Sequence, residues 1–161
     1  MHRLLPLATA VGTLLKQRGE SVGVVESSAA GLISAALLAV PGASAYFIGG
    51  GIIYTNAARA GLLAIDLADH PGMRASTEPY ALLAAHTIRR RLGATWGLCE
   101  TGASGPKGNR YGDPAGHSCV GIVGPLERSA TLRTGLADRE ENMWRFAERT
   151  LADFHAALRQ G

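Results

Sequence analysis

Apolar residues recur three and four positions apart at Leu4, Ala8, Val11 and Leu15, while Thr9, Thr13 and Lys16 fall on other sides. This spacing predicts an amphipathic surface helix running to Arg18 and stopped by Gly19. A continuous apolar run over Val22–Val25 predicts a buried strand. It is followed by a helix from about Ala29 to Val40, with Leu32, Ala35, Ala36 and Ala39 on one face. Phe47–Tyr54 reads as a strand and Asn56 to about Leu63 as a short helix. After the Pro71-Gly72 break, Ala81, Ala84, Ile88 and Leu92 mark another helix, and Thr95–Glu100 another strand. Ser118–Val123 and Ala130–Thr134 are strands joined through Gly124-Pro125, a connection too short for a crossover, so they pair antiparallel. The last helix runs from about Asp138 to Leu158 and buries Trp144, Ala147, Leu151, Phe154 and Leu158. Alternating helices and strands of this kind predict a single α/β domain over residues 1–161. Its expected architecture is three layers, α/β/α, around a mixed sheet, with a site at the carboxyl ends of the strands.

The 161 residues suffice for one domain with a proper core. Aromatics are scarce at 6%, so alanine and glycine supply the packing, which suits helices lying close on a sheet. The net charge of +3 is too small to argue for nucleic acid, and the densest basic run, Arg89-Arg90-Arg91, ends a helix where the dipole favours cations. No apolar run is long enough to span a bilayer. The amphipathic first segment reads as a helix rather than a secretion signal, which gives a cytoplasmic expectation. Cys99 and Cys119 fall in strands without metal-ligand spacing and are expected as reduced, buried thiols, with no metal site.

Three segments carry candidate chemistry, each where a strand gives way to a helix or loop. Glu26-Ser27-Ser28-Ala29-Ala30-Gly31 takes an apolar strand into a small-residue helix start, with Ser27 or Ser28 as expected N-cap. First-turn amides and the helix dipole there would favour a phosphate or a developing oxyanion. Tyr54-Thr55-Asn56-Ala57-Ala58-Arg59 ends a strand in hydrogen-bonding residues. Thr101-Gly102-Ala103-Ser104-Gly105-Pro106-Lys107-Gly108-Asn109 reads as a loop whose backbone can approach a ligand.

In order and spacing these segments resemble the C-terminal domain family of the competence-damage-inducible protein CinA, which includes stand-alone nicotinamide mononucleotide deamidases. In that family the motifs read Glu-Ser-Cys-Thr-Gly-Gly, Tyr-Ser-Asn-Glu-Ala-Lys and Thr-Gly-Ile-Ala-Gly-Pro, followed by a Pro-Val-Gly strand. Pro114-Ala115-Gly116, the Pro41–Ala45 turn and Asp138-Arg139 here are similar too. The likeness covers nearly the whole chain and does not extend to the molybdopterin-binding-like companion domain of full-length CinA. It implies hydrolysis of the carboxamide of nicotinamide mononucleotide to nicotinic acid mononucleotide and ammonia, with no metal and no cofactor. Ser27 would be the nucleophile, with Tyr54 and Thr101 beside it. Glu26, Ser28, Gly31, Asn56, Gly102, Gly105, Lys107 and Arg139 would hold the nucleotide, and a homodimer or higher homo-oligomer is implied.

The family's lysine, the base that would take the serine proton, corresponds to Arg59. A guanidinium stays protonated and cannot be a general base, although it can hold a phosphate or steady an oxyanion. Lys107 and His117 are the candidate substitutes. Ala29 and Ala30 likewise replace a threonine and a glycine of the family motif. Two classes of function follow: an amidohydrolase acting on a pyridine nucleotide, and a catalytically silent nucleotide-binding or assembly module that kept the pocket and lost the base.

Overall fold

The computed structural model describes residues 1–161. Helix α1 (Leu5–Arg18) carries Pro6 in its first turn, where a missing N–H leaves nothing unpaired, and ends at Gly19 in the left-handed conformation. It is followed by strand β1 (Val22–Glu26), α2 (Leu32–Leu38), β2 (Phe47–Ile52) and the single turn α3 (Asn56–Ala58), which runs into a π-helical turn over Arg59–Leu63. The chain continues through α4 (Glu78–Leu92), β3 (Trp96–Ala103), β4 (His117–Val123), β5 (Glu127–Arg133) and α5 (Arg139–Leu158).

The five strands form one sheet in the order β2-β1-β3-β4-β5. β1 is parallel to both β2 and β3, pairing Val22 with Phe47 on one side and Trp96 on the other. β3, β4 and β5 are antiparallel, with Thr101 opposite Cys119 and Val120 opposite Ala130. The chain moves outward from β1 to β2 through α2 and then back past β1 to β3 through α4. Right-handed crossovers in opposite directions require those helices to lie on opposite faces. One face accordingly carries α1, α2 and α5 over a core of Leu15, Ile33, Leu98, Phe146 and Leu151, with the Trp96 ring edge-on to Phe154 at 5.6 Å. The other carries α4 with Ala81, Ala84, Ala85 and Ile88, closed by Leu63 and Ile65. Alanine and glycine do serve close packing here, because a Cβ on Gly97 would lie 2.0 Å from Ala85 O and one on Gly121 2.4 Å from Ala81 C.

The connections of β1 and β2 leave the sheet toward opposite faces, so a crevice opens beyond their carboxyl ends. All three candidate segments end there. β1 and β4 are buried along their whole length and are apolar or small apart from Glu26 and His117 at their ends, whereas edge strand β2 alternates and β5 is largely exposed.

Several boundaries differ from the sequence expectation for identifiable reasons. α2 begins at Leu32, and neither serine caps it. Ala30 and Gly31 take left-handed backbone conformations (φ 54° and 95°), so the chain makes a separate turn before the helix starts. The buried face is Ile33, Ala36, Leu37 and Val40, while Ala35 and Ala39 point to solvent and Leu32 is half-buried. A later start rotates the packed stripe by about one residue. β3 continues to Ala103 because β4 pairs with it through His117, which converts the first three residues of the expected loop into strand.

Ala30 is exposed, so its methyl gives little packing in return for the left-handed strain. Ala30→Gly is expected to raise stability by about 0.5–1 kcal/mol, the left-handed penalty less the added freedom of glycine in the unfolded chain. Thermal unfolding should show a rise of about 1–4 °C; an unchanged or lowered midpoint would mean that the turn is not strained.

Candidate active site

Two glutamates shape the turn that carries Ser27. Glu26, the last residue of β1, is 1% exposed and folds beneath the start of α2. Its Oε2 accepts from Gly31 N (2.9 Å) and Ile33 N (3.0 Å), and its Oε1 from Ser34 N (2.8 Å) and Ser34 Oγ (2.6 Å). Glu100, fully buried near the end of β3, accepts from Ala29 N (2.7 Å) and Ser27 N (3.2 Å) through Oε2. Its Oε1 accepts from the hydroxyls of Ser28 and Ser118, the latter at 2.8 Å. Five amides of the turn and helix start, those of Ser27, Ala29, Gly31, Ile33 and Ser34, are therefore occupied by the protein's own carboxylates. The start of α2 at Gly31 and Ile33 is thus not free for an anion, and Glu26, expected at the nucleotide, is instead a buried cap.

What the turn presents is Ser27, half-buried and lining a cleft of about 360 Å³ with Tyr54, Asn56, Arg59, Thr101 and Gly102. A second cleft of about 370 Å³ adjoins it, sharing Tyr54, Gly102 and Asn109 and adding Ser28, Gly105, Lys107 and Arg139. Ten of the twelve residues expected at the site thus line these two lobes, while Glu26 and Gly31 do not. Gly31 is needed for its positive φ and for space against Ile52, whose Cδ1 would lie 3.3 Å from an added Cβ. Gly102 borders both lobes, yet the reason it is glycine lies behind it: a Cβ there would sit 2.3 Å from His117 O.

The lobes are held open by contacts among the three segments. Arg139, in the first turn of α5, donates to Gly105 O (2.7 Å) and to Tyr54 Oη (3.0 Å), tying the third segment to the second. Arg110 donates to Asn56 Oδ1 at 3.3 Å, and the guanidiniums of Arg110 and Arg74 each lie 5.2 Å from the centre of the Tyr111 ring. The loop bearing these residues is ordered by Asn109, whose Oδ1 accepts from Tyr111 N and Asp113 N, and by Asp113, which pairs with both Arg74 Nη groups. The Arg74 guanidinium holds the Asp113 carboxyl below the usual carboxylate range. Ser76, buried with φ 60°, donates through its amide to Thr101 Oγ1 at 3.3 Å.

Arg59 is 9% exposed and lines the first lobe beside Tyr80; its Nε is buried without a hydrogen-bond partner in the chain. Burial pushes the Tyr80 phenol up to about 12 despite the nearby Arg59, so Tyr80 stays neutral. No aspartate, glutamate, lysine or histidine lines this lobe, and no aspartate or glutamate lines its neighbour. Lys107 is exposed and belongs to the second lobe. His117 lines neither, because its Nε2 donates to Ser76 O at 2.9 Å and its ring is buried behind the cleft. The expectation of His117 as a substitute base is corrected by that placement.

Glu100, Ser76, Tyr80, Arg110 and Tyr111 escaped the sequence reading. Only Glu100 left a signal, since it repeats the pattern of an apolar run terminated by glutamate that Val24-Val25-Glu26 shows.

The strand ends of this α/β domain converge on a serine-bearing, cation-lined cleft. The CinA C-terminal domain model matches residues 4–158, and the chain belongs to that family. A CinA-like protein of Nostoc is 37% identical over 137 residues, covering 81% of this chain and 32% of its own length. One from Chlorobium limicola is 35% identical over 159 residues, covering 96% of this chain and 37% of its own. The chain thus spans about a third of the length of these relatives. Among solved structures, the competence/damage inducible protein CihA of Agrobacterium tumefaciens superposes with a TM-score of 0.88 at 26% identity, covering 98% of this chain and 96% of that one. A CinA superfamily protein of Klebsiella pneumoniae gives 0.91 at 22% identity, covering 98% and 99%, a likeness of fold.

Glu100 offers a test of this architecture. Burial raises its carboxyl above the ordinary value of 4.5, against the opposing effect of its hydrogen bonds. The folded state then binds the proton more tightly than the unfolded chain, so its contribution to stability is full below pH 4.5 and is lost as pH rises through the raised value. Glutamine suits the site: its oxygen can take the two amides and its NH2 can donate to the two hydroxyls. Urea unfolding from pH 4.5 upward should show stability falling with pH in the unaltered chain and a flatter profile in Glu100→Gln; identical slopes would mean that Glu100 is ionised throughout.

Proposed function

We propose that the two lobes bind a pyridine mononucleotide on the plan of the family's amidohydrolases, and that this chain holds the nucleotide without hydrolysing its carboxamide at an enzymatic rate. The observation that carries this reading is Arg59, nine-tenths buried in the cleft at the position that is lysine in the family's second motif. Binding is supported by cations in both lobes, Arg59 and Arg110 in one and Lys107 and Arg139 in the other, with no carboxylate among them. A phosphate monoester is a natural partner for such a lining. Hydrolysis needs more, because a serine hydroxyl attacks an amide only if its proton is removed as the bond forms. Arg59 cannot accept that proton. Tyr80 is held neutral, and nothing else lining the first lobe is a base near neutrality.

A second reading, metal-independent nicotinamide-nucleotide amidohydrolysis, has its own observation. Ser27 stands at the cleft wall with Tyr54 and Thr101, as the family resemblance implies for a nucleophile, and Lys107 lies in the adjoining lobe on a flexible stem.

Calorimetry and ammonia release separate the two. The unaltered chain should bind nicotinamide mononucleotide while releasing ammonia at background. Arg59→Lys should raise release by about 10²-fold or more, the usual worth of a positioned base, and Ser27→Ala added to it should remove the gain. A Ser27-dependent rate in the unaltered chain would establish the amidohydrolase instead, and its loss in Lys107→Ala would identify the base.

A further inference from the structure

Hydrogen-bond polarity inside the first lobe narrows the ligand further. Thr101 Oγ1 already accepts from Ser76 N, Asn56 Oδ1 from Arg110, and Tyr54 Oη from Arg139. Each of these oxygens keeps a second lone pair, and the hydroxyls of Tyr54, Thr101 and Ser27 can still donate inward. Arg59 adds only donors, and its buried Nε has no partner in the chain. A carboxamide brings one acceptor and an NH2 group, and that NH2 can make no hydrogen bond to Arg59, which has only donors. A carboxylate brings two acceptors and a negative charge, and its two oxygens match a guanidinium edge.

We infer that the Arg59 lobe is a carboxylate receptor, so that the cleft selects the acid form of the mononucleotide, the ring carboxylate, over the carboxamide. This rests on the pyridine-nucleotide reading above. The phosphate falls to the Lys107–Arg139 lobe, and the ring spans the border at Tyr54 and Gly102, two of the three residues both lobes share. Replacing lysine by arginine would then have done two things with one substitution, removing the proton acceptor and installing a receptor for the product of the reaction that acceptor serves. The chain becomes a sensor or carrier of the deamidated nucleotide.

Nicotinic acid mononucleotide and nicotinamide mononucleotide share phosphate, ribose and ring and differ only in the group that would meet Arg59. Calorimetric titration of the unaltered chain with each is expected to give the acid an affinity about 10–100-fold higher, the worth of a charge-assisted pair in a sheltered site. Arg59→Gln should abolish the preference by weakening the acid more than the amide, with the circular-dichroism spectrum unchanged. Because the first comparison needs no variant, it stands even if Arg59→Gln fails to fold. Equal affinities, or tighter binding of the amide, would overturn the carboxylate receptor and leave the nucleotide site standing. If neither mononucleotide binds, the nucleotide reading itself fails and this inference goes with it.

Discussion

Two buried carboxylates organise this domain. Glu26 ends β1, Glu100 lies within the neighbouring parallel strand β3, and each accepts four hydrogen bonds, nearly all from the segment between Ser27 and Ser34. A carboxylate taken out of water is costly unless its lone pairs are filled, and here all of them are. The filling constrains the chain. Ser27 N and Ala29 N must point at β3 and the α2 amides at β1, so the backbone between them reverses through Ala30 and Gly31 in left-handed conformations. The side chain left facing the crevice is Ser27.

That arrangement decides what kind of site the crevice can be. A strand-to-helix turn in an α/β protein commonly offers bare amides to an anion, but here most of them are taken up by the two glutamates. The positive charge along the crevice comes from side chains later in the sequence: Arg59 from the π-helical turn after β2, Lys107 and Arg110 from the loop after β3, and Arg139 from α5. Those cations depend on a second layer of order. Arg139 is fixed by Gly105 O and Tyr54 Oη, and the loop bearing Arg110 is fixed by the Asn109, Asp113 and Arg74 contacts. The site is therefore assembled from five separate stretches of chain, and its charge is local: the chain as a whole carries only +3.

The same distinction explains what was legible in the sequence. Periodicity recovered α1, β1, β4 and α5 closely, because their burial patterns follow from packing against a single layer or between two. The face of α1 containing Leu4, Ala8, Val11 and Leu15 is fully buried as expected. It misplaced α2, since Ser-Ser-Ala-Ala-Gly resembles a helix start and nothing local reveals that a glutamate on another strand will claim its amides. Motif order placed Ser27, Tyr54, Asn56, Arg59 and Thr101 in one cleft, a grouping that periodicity alone does not provide. Hydrogen-bond direction was out of reach. That Thr101 Oγ1 is an acceptor for Ser76 N depends on Ser76 adopting φ 60° some twenty-five residues away, held there by His117 from yet another strand.

Arg59 is where these constraints meet. A lysine in a sheltered pocket can shed its proton when burial and nearby cations favour the neutral amine, and that is what would let it work as a base. Arginine in the same place keeps its charge, so the pocket must live with a buried cation at every pH. Such a group is costly when its donors are unfilled. The chain leaves Nε without a partner and supplies no carboxylate along the cleft. A negatively charged occupant would offset that cost, whereas the NH2 of a neutral amide could not pair with the guanidinium. One substitution at this position thus bears on two properties of the cleft at once, its supply of a proton acceptor and the charge it must balance.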